Sequence, residues 1–139
     1  MKMNVNTLFG LKDTLNDLMT ENDRPKKMPF KVAYRLRKFL QDVIREDQAV
    51  DSRRLAILRE HCVEEGRAYK FPPEGSKDSE DFLAEWIPFL NEELEIEWSW
   101  EPLSVDDLES VTISIQQLDL LIAAGVVKEE ESHASDVSS

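Results

Sequence analysis

Pro29 and Gly66 bracket the feature that most constrains this chain. Between them Val32, Leu36, Phe39, Leu40 and Val43 fall on one side of a helix, within about one-third of its circumference. Lys31, Tyr34, Arg35, Arg37, Lys38 and Arg45 fall on the other side. Proline suits the first turn of a helix, where its missing N–H would have had no partner anyway. Glycine suits the position just past the last turn, where the backbone turns left-handed. The apolar stripe continues through Val50, Ile57 and Leu58, weakened where Arg54 and His61 fall on it. The pattern predicts one helix over 29–65, roughly 55 Å long at about 1.5 Å per residue. The alternative is two helices that break at Asp51-Ser52, both good caps.

Shorter elements surround this helix. Leu8, Leu11, Leu15 and Leu18 form a second stripe, with Asn6 or Thr7 placed to cap it. Asp78 or Ser79 caps a third, in which Phe82, Leu83, Trp86, Ile87 and Leu90 are expected to be buried. Pro88 should kink or restart that helix near Ile87. The run LEIEWSW alternates, with Leu94, Ile96, Trp98 and Trp100 on one side and Glu95, Glu97 and Ser99 on the other. It is the clearest strand in the sequence. Its partner is expected among 1–5, where Met1, Met3 and Val5 alternate, or 111–113. Ser104 with Asp107 starts a single helical turn. Ser114 with Gln117 reads as a capping box before Leu118, Leu121 and Ile122, and Gly125 closes that helix. The segments 21–27 and 67–78 read as loops. The expected fold is α+β and mainly α: antiparallel long helices, as a hairpin or three-helix layer, against a minimal two- or three-stranded sheet.

At 139 residues the size suits one domain. The expected boundaries are a globular unit over 1–127 and a disordered acidic tail over 128–139, which lacks an apolar face. A single cysteine, Cys62, excludes an intramolecular disulfide, and no apolar run approaches the roughly 18 residues of a spanning helix. Both point to a cytoplasmic protein away from the membrane.

The formal net charge is −12, but it is unevenly spread. Residues 24–38 hold seven lysines and arginines and no acid, whereas 78–109 hold twelve acids and no base. Cations in the first turn of a helix meet the positive end of its dipole, so an anionic group should compensate. The expectation is that the basic island lies against Glu92, Glu93, Glu95, Glu97 and Glu101, within one chain or across a homodimer. So acidic a surface disfavours direct binding of nucleic acid. The candidate partner-binding residues are Lys31, Tyr34, Arg35, Lys38, Glu95, Glu97, Trp98 and Trp100.

Catalytic chemistry is poorly provided for. The two histidines are His61 and His133, and the four glycines stand apart at 10, 66, 75 and 125, so no phosphate loop exists. His61 and Glu65 stand four residues apart, half of a metal site without a second pair of ligands at zinc-like spacing. No cofactor, metal or enzymatic activity is expected.

Several runs together point to a family. The Leu-rich first helix, MPFKVAYRLRKFL, DFLAEWIPFLNEELEIE and the closing VDDLES and VTISIQQLDLL segments resemble small acidic proteins of unknown function encoded by tailed phages of Gram-positive bacteria and their prophages. The resemblance covers roughly residues 1–124. This chain departs from the pattern by Pro88 inside its third helix and by a longer 66–77 loop. The resemblance implies a phage or prophage product that acts by contact. It carries over no catalytic residue. Two functions follow as expectations: an accessory protein that binds an unidentified host or phage protein, or a DNA mimic whose carboxylates stand in for phosphates.

Overall fold

In a computed structural model, residues 1–21 and 24–129 are described. Strand β1 (Lys2–Asn4) leads directly into helix α1 (Val5–Met19). Asn4 caps that helix, its side chain accepting from the Thr7 N–H at 2.8 Å, so the start lies upstream of Asn6. Leu8, Leu11, Leu15 and Leu18 are all buried, as their spacing predicts. Strands β2 (Thr20–Glu21) and β3 (Arg24–Pro25) then pair antiparallel within the segment expected to be a loop.

Helix α2 (Phe30–His61) is one uninterrupted element of 32 residues. It passes through Asp51-Ser52 without breaking and buries Val32, Leu36, Phe39, Val43 and Val50. It stops short of Gly66, because that glycine turns a hairpin instead. Strands β4 (Val63–Glu65) and β5 (Ala68–Lys70) pair antiparallel, and Gly66 sits at φ +63° between them. That hairpin occupies part of the segment read as loop.

Helix α3 (Lys77–Leu90) is capped by Ser76, whose hydroxyl accepts from the Ser79 N–H at 3.1 Å. Its burial differs from expectation. Phe82 and Phe89 are buried, Trp86 and Leu90 are half-buried, and Leu83 and Ile87 are exposed. The inward face therefore runs 82–86–89, closed by ring contacts of 5.4 Å from Trp86 to both Phe82 and Phe89. Pro88 lies in the last turn, and the helix continues through it. The carbonyl left without its i+4 donor belongs to exposed Ala84, where water can serve.

After α3 comes strand β6 (Glu93–Glu95), which pairs antiparallel with β1 in the register Met3↔Leu94. The expected pairing with residues 1–5 is present; residues 111–113 form no strand. Strand β6 is also shorter than the LEIEWSW alternation suggests. Past Ile96 the backbone leaves the ladder, and the Ser99 N–H donates to Asp42 of α2 at 2.9 Å. Strand β7 (Leu103–Ser104), a 3₁₀ turn (Asp106–Leu108), helix α4 (Ile115–Ala123) and strand β8 (Val127–Lys128) complete the chain. The expected turn and capping box both form. Ser104 and Asp107 exchange hydrogen bonds at 3.0 and 3.2 Å, and Ser114 and Gln117 do so at 3.0 and 3.1 Å. Strands β7 and β8 run parallel, with Leu103 opposite Val127. Lys128 thus belongs to a strand and exposed Glu129 follows it; residues 130–139 of the expected tail lie outside the described residues.

Helices α1, α2 and α3 form an antiparallel layer. Lys12 meets Asp47 while Phe9 meets Arg54, so α1 and α2 run oppositely. Arg53 meets Glu92 while His61 meets Glu85, so α2 and α3 do as well. The fold is α+β and mainly α, with its strands in four two-stranded pieces. Gly125 closes α4 at φ +80°, where a Cβ would come within 2.9 Å of Met1 Cε and 3.3 Å of Trp98 Nε1. Here the positive φ calls for glycine, and the close Trp98 indole adds to the preference, since the Met1 side chain could swing aside.

A candidate docking surface on the first turns of helix α2

The spacing 30–34–38 lines one face of α2 opposite its buried stripe. Phe30 stacks on Tyr34 with ring centroids 5.9 Å apart. Tyr34 meets Trp100 edge-on at 5.5 Å. The Lys38 ammonium lies 5.3 Å from the Tyr34 ring centre and 5.9 Å from that of Trp100, within cation–π range. Phe30 is 82% exposed and Trp100 42%, so the aromatic row faces solvent.

Cations flank this row. Lys31 Nζ lies 3.6 Å from Asp107 Oδ1. Asp107 is held below the usual carboxylate range, first by the hydrogen bond it accepts from the Ser104 N–H. The Ser104 side chain and the charges of Lys31 and Arg35 add to this, against an opposing effect of burial. Further along, Arg24, Lys26 and Lys27 line an open groove of about 680 Å³ with Glu21, Pro25, Ser110 and Thr112. The Lys26 ammonium donates to the Thr112 carbonyl at 3.4 Å.

The island's internal partner is therefore the 103–112 segment. Glu92 pairs with Arg53, Glu93 with Lys2 at 3.6 Å, and Glu95 with the amino group of Met1 at 3.4 Å. Among the described residues none of these acids forms an ion pair with the island, and Glu97 forms none at all. The expectation of an island laid on 92–101 is corrected on this point. The reason is topological: β6 returns beside β1, which places its acids near the chain start and the second half of α2. The 97–101 segment does reach the N-terminal half of α2, through Trp100 on Tyr34 and Ser99 on Asp42, but the carboxylate in ion-pair range of the island is Asp107 of the 3₁₀ turn.

Of the candidate residues, Lys31, Tyr34, Arg35, Lys38 and Trp100 gather on one surface. Glu95 pairs instead with the amino group of Met1, and Glu97 forms no ion pair with this surface among the described residues. Trp98 belongs to the core: its Nε1 donates to the Ala124 carbonyl at 2.9 Å and its ring meets Phe39 edge-on at 5.3 Å. Phe30 was not among the candidates, although its i, i+4 relation to Tyr34 and Lys38 was the signal. Nor does His61 pair with Glu65, which lies in β4; its partner is Glu85 of α3 at 2.5 Å. Cys62, beside it, has its thiol pushed up by burial, which disfavours a reactive thiolate. No protein-family model, curated protein or solved structure matches this chain.

Proposed function

We propose that this protein is a non-enzymatic accessory protein that works by binding another protein through the Phe30–Tyr34–Trp100–Lys38 surface. The single observation that carries this reading is that aromatic row. Phe30 and Trp100 stand exposed on either side of a half-buried Tyr34, with the half-buried Lys38 ammonium against the Tyr34 and Trp100 rings. Exposed aromatic groups ringed by charge are the residues that dominate binding energy at protein interfaces. The flanking Lys31, Arg35 and Lys38 suit a partner segment that carries carboxylates beside an apolar or aromatic group. The resemblance to phage proteins supplies the setting: virion assembly or host takeover, in the cytoplasm of an infected cell. Among the described residues no helix is long and apolar enough to cross a membrane, so the reading needs no membrane step. A second copy of the chain is the competing occupant of the surface.

The DNA-mimic reading draws less support. Glu92, Glu93 and Glu95, three of the acids it relied on, are each partnered by a cation of the same chain. What favours it is the remaining run on α3, where Asp78, Glu80, Asp81 and Glu85 are exposed.

The test is affinity capture from infected or lysogenic cells with wild-type protein and two variants. Trp100→Ala with Phe30→Ser should lose the partner that wild type retains. Leu83→Ser, on an exposed face of α3, should retain it. Loss in both, or in neither, sinks the assignment of this surface. Sedimentation of the purified chain separates a second copy from a foreign partner.

A further inference from the structure

The end of α2 and the middle of α3 bring three potential ligands to one place. The His61 Nε2 lies 2.5 Å from Glu85 Oε2 and 3.9 Å from Glu60 Oε2, and the three ligand atoms all lie within 4.8 Å of one another. We propose that Glu60, His61 and Glu85 bind a first-row divalent transition-metal ion, of which zinc is the natural probe.

Four observations support the site. The imidazole is already positioned, because its side chain is only 14% exposed and its ring lies against Phe82 at 6.1 Å. The carboxylates are 64% and 47% exposed, so both are free to adjust. Around a tetrahedral ion with bonds of about 2.1 Å, ligand atoms stand about 3.4 Å apart. Glu85 needs to withdraw by about 1 Å and Glu60 to approach by about half that, shifts that exposed side chains make by rotamer adjustment. Second, two carboxylates this close repel each other, and among the described residues no lysine or arginine lies in ion-pair range of either. A divalent ion removes that repulsion; a simple His61–Glu85 hydrogen bond leaves Glu60 unused. Third, both helical ligands from α2 sit in its last turn, where the partial negative charge of the helix end favours a cation. Fourth, the chain's net charge of −12 raises the local concentration of cations. One nitrogen and two oxygens suit zinc, nickel or cobalt better than magnesium, which prefers an all-oxygen shell. Three protein ligands leave at least one position for water. Cys62, next in sequence, is not part of the cluster.

The experiment is a calorimetric titration of the full chain with zinc, repeated with His61→Gln and Glu85→Gln. Wild type should bind one ion saturably. Each variant should lose roughly tenfold or more in affinity, since each removes a ligand. Glu85→Gln is the discriminating variant, because glutamine keeps a hydrogen bond to the ring and lies at an exposed position that should not endanger folding. Zinc at about a hundred times its dissociation constant should raise Tm on the order of 5–10 °C, and in proton NMR it should shift the His61 ring signals. Absence of one-to-one binding overturns the proposal. So does binding that is unchanged in both variants, which would place the ion elsewhere, as on His133 or on surface acids.

Discussion

Asp42 and Asp47 stand on the same side of α2 as Phe39, Val43 and Val50, yet they are 4% and 5% exposed. Each is fully engaged. Asp42 accepts from both the N–H and the hydroxyl of Ser99 at 2.9 Å and pairs with Arg45. Asp47 pairs with Lys12 of α1 at 2.9 Å and with Arg54 at 3.4 Å. Arg54, which weakens the apolar stripe as a pattern, is thus part of what allows a carboxylate to be buried there. Removing Asp42 leaves a buried gap, turns the Ser99 donors to water and releases the 97–101 segment from α2. Asp42→Ala should therefore lose about 2–4 kcal/mol in urea denaturation. Asp107 yields a pH prediction. Its folded pKa lies below its unfolded value, so its contribution is present above about pH 4 and lost as pH falls through the folded value. Asp107→Ala should be less stable than wild type by about 1 kcal/mol at pH 7, a loss typical of removing a cap. The gap should narrow as pH drops below about 4. A gap independent of pH would show that Asp107 contributes by packing rather than charge.

At the scale of elements, the phase of each helix is the testable content. Leu36 is fully buried between α2 and its neighbours, and Leu36→Ala should cost about 2–5 kcal/mol. Ile87 belonged to the expected inward face of α3 but is 50% exposed. Ile87→Ser should cost under about 1 kcal/mol, as exposed substitutions usually do. Equal losses would restore the sequence-based phase for α3. The difference arises because α3 offers apolar residues at 82, 83, 86, 87, 89 and 90, more than one face can bury. Periodicity alone does not choose between the overlapping stripes; the aromatic cluster with Phe9 of α1 and the ring of Phe71 does.

For the whole molecule, the uneven charge remains the defining property. The cations of the 24–38 island are partly paired, Lys31 with Asp107 and Lys26 with the Thr112 carbonyl, in a chain of formal net charge −12. The protein should not bind single-stranded or duplex nucleic acid at about 0.15 M salt, where even non-specific binders reach only about 10⁻⁴–10⁻⁶ M. Sub-micromolar binding in an anisotropy assay would instead assign the Tyr34–Trp100 row to base stacking.

Local signals were legible. The Leu stripe of α1, the buried stripe of α2, the Ser104–Asp107 turn and the Ser114–Gln117 box all depend on contacts three or four residues apart, which spacing by itself specifies; that α2 runs unbroken through Asp51-Ser52 was decided only by the structure. The pairing of 94 with the chain start was legible only as one of two choices, since residues 111–113 also offered a partner and the structure selected residues 2–4. The candidate surface was half legible: its helix side was readable from spacing, but Trp100 was grouped with Trp98 by an alternation that ends at Ile96. Whether Trp98 enters the core and Trp100 lies on Tyr34 depends on Asp42 capturing Ser99, residues 57 apart in sequence. The island's partner was decided the same way. Exposed charges act over only about 10 Å at ordinary salt, so composition identifies how many acids seek a cation, and only the path of the folded chain brings Asp107 rather than Glu97 within reach.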